Sequence, residues 1–140
     1  MAKSDRSGDI QYAALPYRFA ERGAMEVMLI TSRETGRWVI PKGWPMIGRK
    51  PHQVAAAEAH QEAGIKGIIG KKPIGSYPYA KELTGGEDRL CQVVVYPLRV
   101  TLEAVKWRER TERRREWFLK DEAAVLVDEG GLAQIIDEWR

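Results

Sequence analysis

The sequence predicts a mixed β-sheet flanked by a few helices, and three observations predict it. Short apolar runs separated by glycine-containing turns recur from Ile10 to Leu102, as strands do. One run of strong helix formers, PHQVAAAEAHQEA, interrupts them between Pro51 and Gly64. An amphipathic pattern closes the chain, with Leu132, Ile135, Ile136 and Trp139 on one helical stripe.

Residues 1–8 are polar and small and read as a frayed end, leaving residues 9–140 as a single domain. Ile10–Phe19 reads as a strand, and Pro16 inside it predicts an edge or a bulge. Met25–Thr31 is a second strand, and the short connection at Gly23 joins the two as a hairpin. Residues 38–40 form a short apolar strand stopped by Pro41. The central helix begins near Pro51, where a missing N–H costs nothing. It ends at Gly64, the residue type that most easily takes the left-handed cap.

Residues 65–74 read as loop with a short strand, and 76–81 as a strand. Residues 82–88, around Gly85 and Gly86, read as a mobile loop. Residues 90–102 are the strongest strand, and Val93, Val94 and Val95 predict burial on both faces. Pro97 predicts a bulge or an edge position further along. Residues 116–119 give a short strand. Residues 121–127 give a short helix with Asp121 as N-cap, broken by Gly130 and Gly131.

At 140 residues the chain is long enough to bury a core, and 44% hydrophobic with 31% charged residues is an ordinary globular balance. The lone Cys91 forms no internal disulfide, which fits a reducing, cytoplasmic setting. The N-terminus lacks the apolar core of a signal peptide, and no apolar run approaches the ~20 residues of a membrane span. Net charge is +3, yet residues 106–120 alone hold seven cations against three acids. That unevenness points to an anionic partner.

Glu58, Gln61 and Glu62 fall on one face of the central helix, because residues three and four apart are helix neighbours. Carboxylates converging beside a glycine-bounded loop suit a hard divalent cation, and such a cation suits phosphate chemistry. His52 and His60 read as structural or surface histidines, and Cys91 as buried and inert.

The stretch from Gly43 to Ile65 resembles the box of the Nudix family: Gly, five residues, Glu, seven residues, then Arg-Glu-apolar-any-Glu-Glu-any-Gly-apolar. Gly43, Glu58, Ala59, Glu62, Gly64 and Ile65 match, and the spacing is kept throughout. Arg49 stands for the first Glu, Ala57 for the Arg and Gln61 for the middle Glu. The likeness runs from about Ala13 to Val127 and includes Arg37-Trp38, the PKGWPMIGRKPHQVAAAEA run and Arg113 to Phe118 before Asp121. It is nearest to the diphosphoinositol polyphosphate and diadenosine polyphosphate phosphohydrolase branch.

The resemblance implies an α/β-α sandwich of the Nudix type and magnesium- or manganese-dependent hydrolysis of a nucleoside diphosphate linked to another moiety, dinucleoside polyphosphates being favoured. It implies Glu58 and Glu62 as catalytic metal ligands with Gln61 beside them. It implies Arg33, Lys42, Gly43, Trp44, Arg89 and Arg115 as substrate-binding residues. A further carboxylate outside the box is expected from Glu87, Asp88, Glu109 or Glu112. Ala57 leaves support of the glutamates to come from elsewhere. The expected partner is a nucleotide or other small polyphosphate rather than a membrane, DNA or RNA, and a homodimer is left open. The alternative is a Nudix-fold module that binds a nucleotide or RNA end without cutting it.

Overall fold

The computed structural model describes residues 9–82 and 88–139, the side chains of 81, 82, 88 and 89 apart. The expected frayed end at 1–8 and the tip of the loop expected at 82–88 lie outside these residues. The elements in chain order are β1 (Ile10–Phe19), β2 (Met25–Thr31), β3 (Trp38–Val39), β4 (Lys42–Gly43), α1 (Pro51–Ala63), β5 (Ile65–Ile69), β6 (Gly75–Glu82), β7 (Asp88–Glu103), β8 (Arg115–Leu119), α2 (Lys120–Leu126) and α3 (Gly130–Glu138).

All eight strands join one mixed sheet. β1 and β7 lie parallel at its centre, in register from Ile10 against Gln92 to Tyr17 against Arg99. β2 pairs antiparallel with β1 as the expected hairpin, and β3 and β8 both pair with β2. β5 and β6 pair with the other side of β7.

Successive strand residues point to opposite faces, so each central strand feeds two cores. Leu15, Leu29, Val93 and Val95 meet α2 and α3 through Ala123, Leu132 and Ile136. Ala14, Met28, Ile30 and Leu98 meet α1 through Ala55, Ala59 and Ala63. The sheet therefore lies between helices, as expected. The α1 face is built on alanines, which let the helix approach the sheet closely enough to bury Glu58 and Glu62 with them.

Several expectations need correction. Pro16 marks no edge, because β1 is central. It falls where that side of β1 changes partners, after Tyr12 and Ala13 pair with β4 and before Tyr17 pairs with β2. Pro97 likewise falls between the pairing of Val95 with β6 and of Leu98 with β5. A missing N–H is tolerated at such gaps. The bulge lies instead in β5, between Lys66 and Gly67. Asp121 is not the N-cap of α2. That place belongs to Leu119, whose N–H donates to Glu122 Oε1 at 3.1 Å. Gly130 and Gly131 open α3 rather than merely ending what precedes it.

Candidate active site

α1 starts at Pro51 and ends at Gly64, whose φ of +67° is the left-handed conformation a cap requires. The last carbonyls of a helix have no partner within it. Here the segment after β7 supplies the donors. Glu109 N–H reaches the Gln61 carbonyl at 3.3 Å, and Ala104 N–H reaches that of Gly64 at 2.7 Å. Trp107 Nε1 donates to the Glu62 carbonyl at 3.2 Å, and Arg115 Nη1 donates to that of Ala63 at 2.8 Å. Part of the basic run thus works inside the molecule, at the negative end of the helix dipole.

That docking brings Glu109 and Arg113 against the acidic face of α1. Glu58, Gln61, Glu62, Glu109 and Arg113 line one cavity of about 230 Å³, together with Gln11, Arg33, Lys42, Gly43 and Trp44. Glu58, Glu62 and Glu109 are buried at 9%, 8% and 5% exposure, which is costly for charge and demands partners. A Cβ at Gly43 would collide with the Glu58 carboxylate, so glycine lets that side chain sit where it does.

Burial holds the Glu62 carboxyl up to about 8, and the hydrogen bond with Glu58 adds to the rise against the opposing pull of Arg113. Burial also raises Glu58, but its hydrogen bond with Glu62 works the other way. Burial thus favours the protonated form at both carboxyls, most strongly at Glu62. Glu109 differs. Burial works to raise it, but hydrogen bonds from Gln61 Nε2 at 3.0 Å and Arg113 Nε at 2.7 Å outweigh burial and keep it ionised. Arg113 also donates to the Thr31 carbonyl at 3.1 Å and stands 3.8 Å from Glu62 Oε1. Lys42 N–H donates to that same oxygen at 3.3 Å.

Two adjacent carboxyls, with an amide carbonyl and a third carboxylate nearby, offer oxygen donors of the kind a hard divalent cation takes. Among the described residues no three such side chains are already gathered into a cage. Glu109 is drawn instead toward Gln61 and Arg113.

The structure brings together Glu58, Gln61, Glu62, Arg33, Lys42, Gly43 and Trp44, all expected from the sequence. It does not bring Arg115 into the cavity. That side chain is committed to the Ala63 and Ala104 carbonyls and stacks 3.9 Å over Trp107. The side chain of Arg89 lies outside the described residues, as do those of Glu87 and Asp88. Of the four carboxylates expected to include an outside partner, Glu109 faces the cavity and Glu112 pairs with exposed Arg33 at 3.0 Å. His60 is exposed, and His52 packs near Tyr96. Cys91 is buried.

Sequence reasoning missed Arg113 and Gln11. Arg113 sits two residues before Arg115 and stands 3.8 Å from Glu62. Gln11 is 2% exposed, lines the cavity and, among the described residues, has no hydrogen-bond partner for its Oε1. A polar residue within the apolar run of β1 was the available signal.

No family model matches the chain. A mitochondrial Nudix hydrolase 12 from Arabidopsis thaliana is 30% identical over 118 residues, covering 82% of this chain and 58% of the relative. Diphosphoinositol polyphosphate phosphohydrolase 2 from Rattus norvegicus is 30% identical over 125 residues, covering 88% of this chain and 65% of the relative. The chain thus spans about three fifths of the length of these curated relatives. Among solved structures, an Ap4A hydrolase from C. elegans shares the fold with a TM-score of 0.65 at 18% identity, over 93% of this chain and 94% of the other. Among the described residues, no helix is long and apolar enough to cross a membrane.

Proposed function

The chain belongs to the Nudix family, and from that premise we propose that it hydrolyses a phosphoanhydride in a nucleoside diphosphate linked to another moiety, with dinucleoside polyphosphates the favoured substrates. One observation carries the reading: Glu58 and Glu62 are buried side by side in a polar cavity, where burial favours a retained proton on the pair. Such a pair is poised to exchange that proton for a cation.

Magnesium or manganese would be held by Glu58 and Glu62 with the Gln61 carbonyl beside them, and supplies charge neutralisation at phosphate oxygens and a more nucleophilic water. Glu109, ionised and acceptor-only, takes a hydrogen bond from the water that attacks phosphorus and so orients it. Arg113 steadies Glu109 and Glu62 together. Lys42 and Arg33 face the phosphates. Arg33 leaves Glu112 to do so, an exposed pair worth only about 0–1 kcal/mol. Gln11 Oε1 accepts from an O–H in the cavity, either the attacking water or a sugar hydroxyl. The single buried Cys91 accords with a reducing, cytoplasmic setting.

The test is turnover of a panel of dinucleoside polyphosphates and sugar nucleotides across magnesium and manganese concentrations, beside Glu62→Gln. Turnover lost in the variant supports the reading. Binding without turnover at every metal concentration overturns it in favour of a nucleotide-binding module, the role that the loss of a carboxylate at Gln61 would suit.

A further inference from the structure

Beyond Gln61 lies a second, larger recess. It is a groove of about 860 Å³ between α1 and β5, against about 230 Å³ for the catalytic cavity. Gln61 lines both, so the two meet at that residue. The loop before α1 also touches both, with Trp44 on the cavity side and Arg49 on the groove side.

The groove has an apolar floor and a cationic rim. Ala56, Ala57, Ile69 and Leu98 make the floor, and Arg49, Lys66 and Arg108 stand around it. Among the described residues, no aspartate or glutamate lines it. The three rim cations are exposed, and none pairs with a carboxylate among the described residues. Elsewhere Arg18, Arg33, Arg37, Arg113 and Arg114 each face a Glu or Asp within 4 Å. Cations gathered around an apolar floor without counter-charge form a site for an anion that also carries an apolar body. The positive charge of Arg49 acts on Glu58, so the rim continues to the edge of the catalytic carboxylates.

Size supports the division of labour. Sites for small organic ligands run from roughly 300 to 1,000 Å³. The catalytic cavity falls below that range and suits the reacting phosphates, whereas the groove falls within it.

We propose that this groove binds the far nucleotide half of the substrate, its base on the Ala56–Ala57–Ile69–Leu98 floor and its phosphate against Arg49, Lys66 and Arg108. The inference rests on the reading above in taking the ligand to be part of a dinucleoside polyphosphate. The chain runs from the cavity across Gln61 into the groove.

Binding tests it without turnover. Adenosine monophosphate and inorganic pyrophosphate are titrated calorimetrically into the full chain, into Lys66→Glu/Arg108→Glu, and into Lys71→Glu/Lys72→Glu. The last pair makes the same charge change at exposed positions outside the groove. The expected result is a tenfold or greater loss of adenosine monophosphate affinity in the first variant alone, with pyrophosphate affinity changed less than twofold. In spectra of the labelled protein, the nucleotide shifts the amides of Ala56, Ala57 and Gly67. Equal affinity in both variants, no binding to the unaltered chain, or shifts confined to the catalytic cavity would overturn the proposal. A protein that binds the nucleotide here yet cuts nothing sinks the hydrolase reading and leaves this site standing. A protein that cuts dinucleoside polyphosphates with KM unmoved by Lys66→Glu/Arg108→Glu does the reverse.

Discussion

Metal binding should tighten steeply as pH rises toward 8, because the ion must displace the proton that Glu62 keeps. Burial, reinforced by Glu58, holds that carboxyl up to about 8 from an ordinary 4.5. At pH 6 roughly 1% of Glu62 is ionised, and at pH 8 roughly half. Apparent affinity for magnesium should therefore climb about 50-fold across those two units and level off above pH 8. The metal-free protein moves the other way. Its folded state retains a proton that the unfolded chain releases above about 4.5, so the stability this group contributes is lost as pH rises from 4.5 through 8. Calorimetry in buffers of different ionisation enthalpy counts the protons directly. Nearly one should leave per magnesium at pH 7, about half at pH 8 and almost none above pH 9. Glu62→Gln should bind more weakly and release far fewer. Magnesium binding that releases no proton at pH 7, or the same number from Glu62→Gln, refutes the reasoning.

Arg113→Ala leaves buried Glu109 and Glu62 without their guanidinium and should cost about 3–5 kcal/mol in denaturant unfolding, because an unpartnered buried charge is far worse than an exposed one. Arg113→Lys should recover part of it, since one ammonium cannot serve Glu109 and the Thr31 carbonyl as the planar fork does. Gly43→Ala should abolish magnesium binding in calorimetry, because the added Cβ displaces the Glu58 carboxylate. Gln61→Glu places a second carboxylate where an amide now donates to Glu109 at 3.0 Å. The metal-free melting temperature should fall by about 3–6 °C, while half-maximal activation shifts to lower magnesium.

How much of this was legible depends on range. α1 was read almost to the residue, because proline entry, alanine-rich interior and glycine exit are local signals. That Glu58, Gln61 and Glu62 share one face followed from helix spacing. The prolines misled because a missing N–H is informative only once the neighbours of a strand are known. Pro16 and Pro97 sit at changes of partner that no local pattern records. The basic run misled in the same way. Its charge was visible, but not that Arg115 would close the end of α1 while Arg113, two residues earlier, would reach the carboxylates. Glu109 stood among four candidates that spacing could not rank. Its selection depends on Trp107 and the Glu109 N–H docking on α1 carbonyls 45 and 48 positions away in the chain.

The departures from the family box also make more sense together than singly. Against that pattern, the helix lacks one carboxylate at Gln61 and the guanidinium at Ala57. The segment after β7 puts one carboxylate, Glu109, and one guanidinium, Arg113, against the same cavity. Gln61 is the joint between the two sets, since its amide can donate to Glu109 where a carboxylate would repel it. An arginine at Ala57 would also project from the floor of the groove beside α1, which two adjacent alanines leave open. Glu58, Glu62, Glu109 and Arg113 thus bring three carboxylates and a guanidinium together, with two of the four groups carried by a loop instead of the helix. A loop-borne pair is anchored by the carbonyls it caps and not by helix geometry. The position of Glu109 therefore depends on the Trp107 and Arg115 contacts at the end of α1, which ties the integrity of the site to residues that touch no substrate.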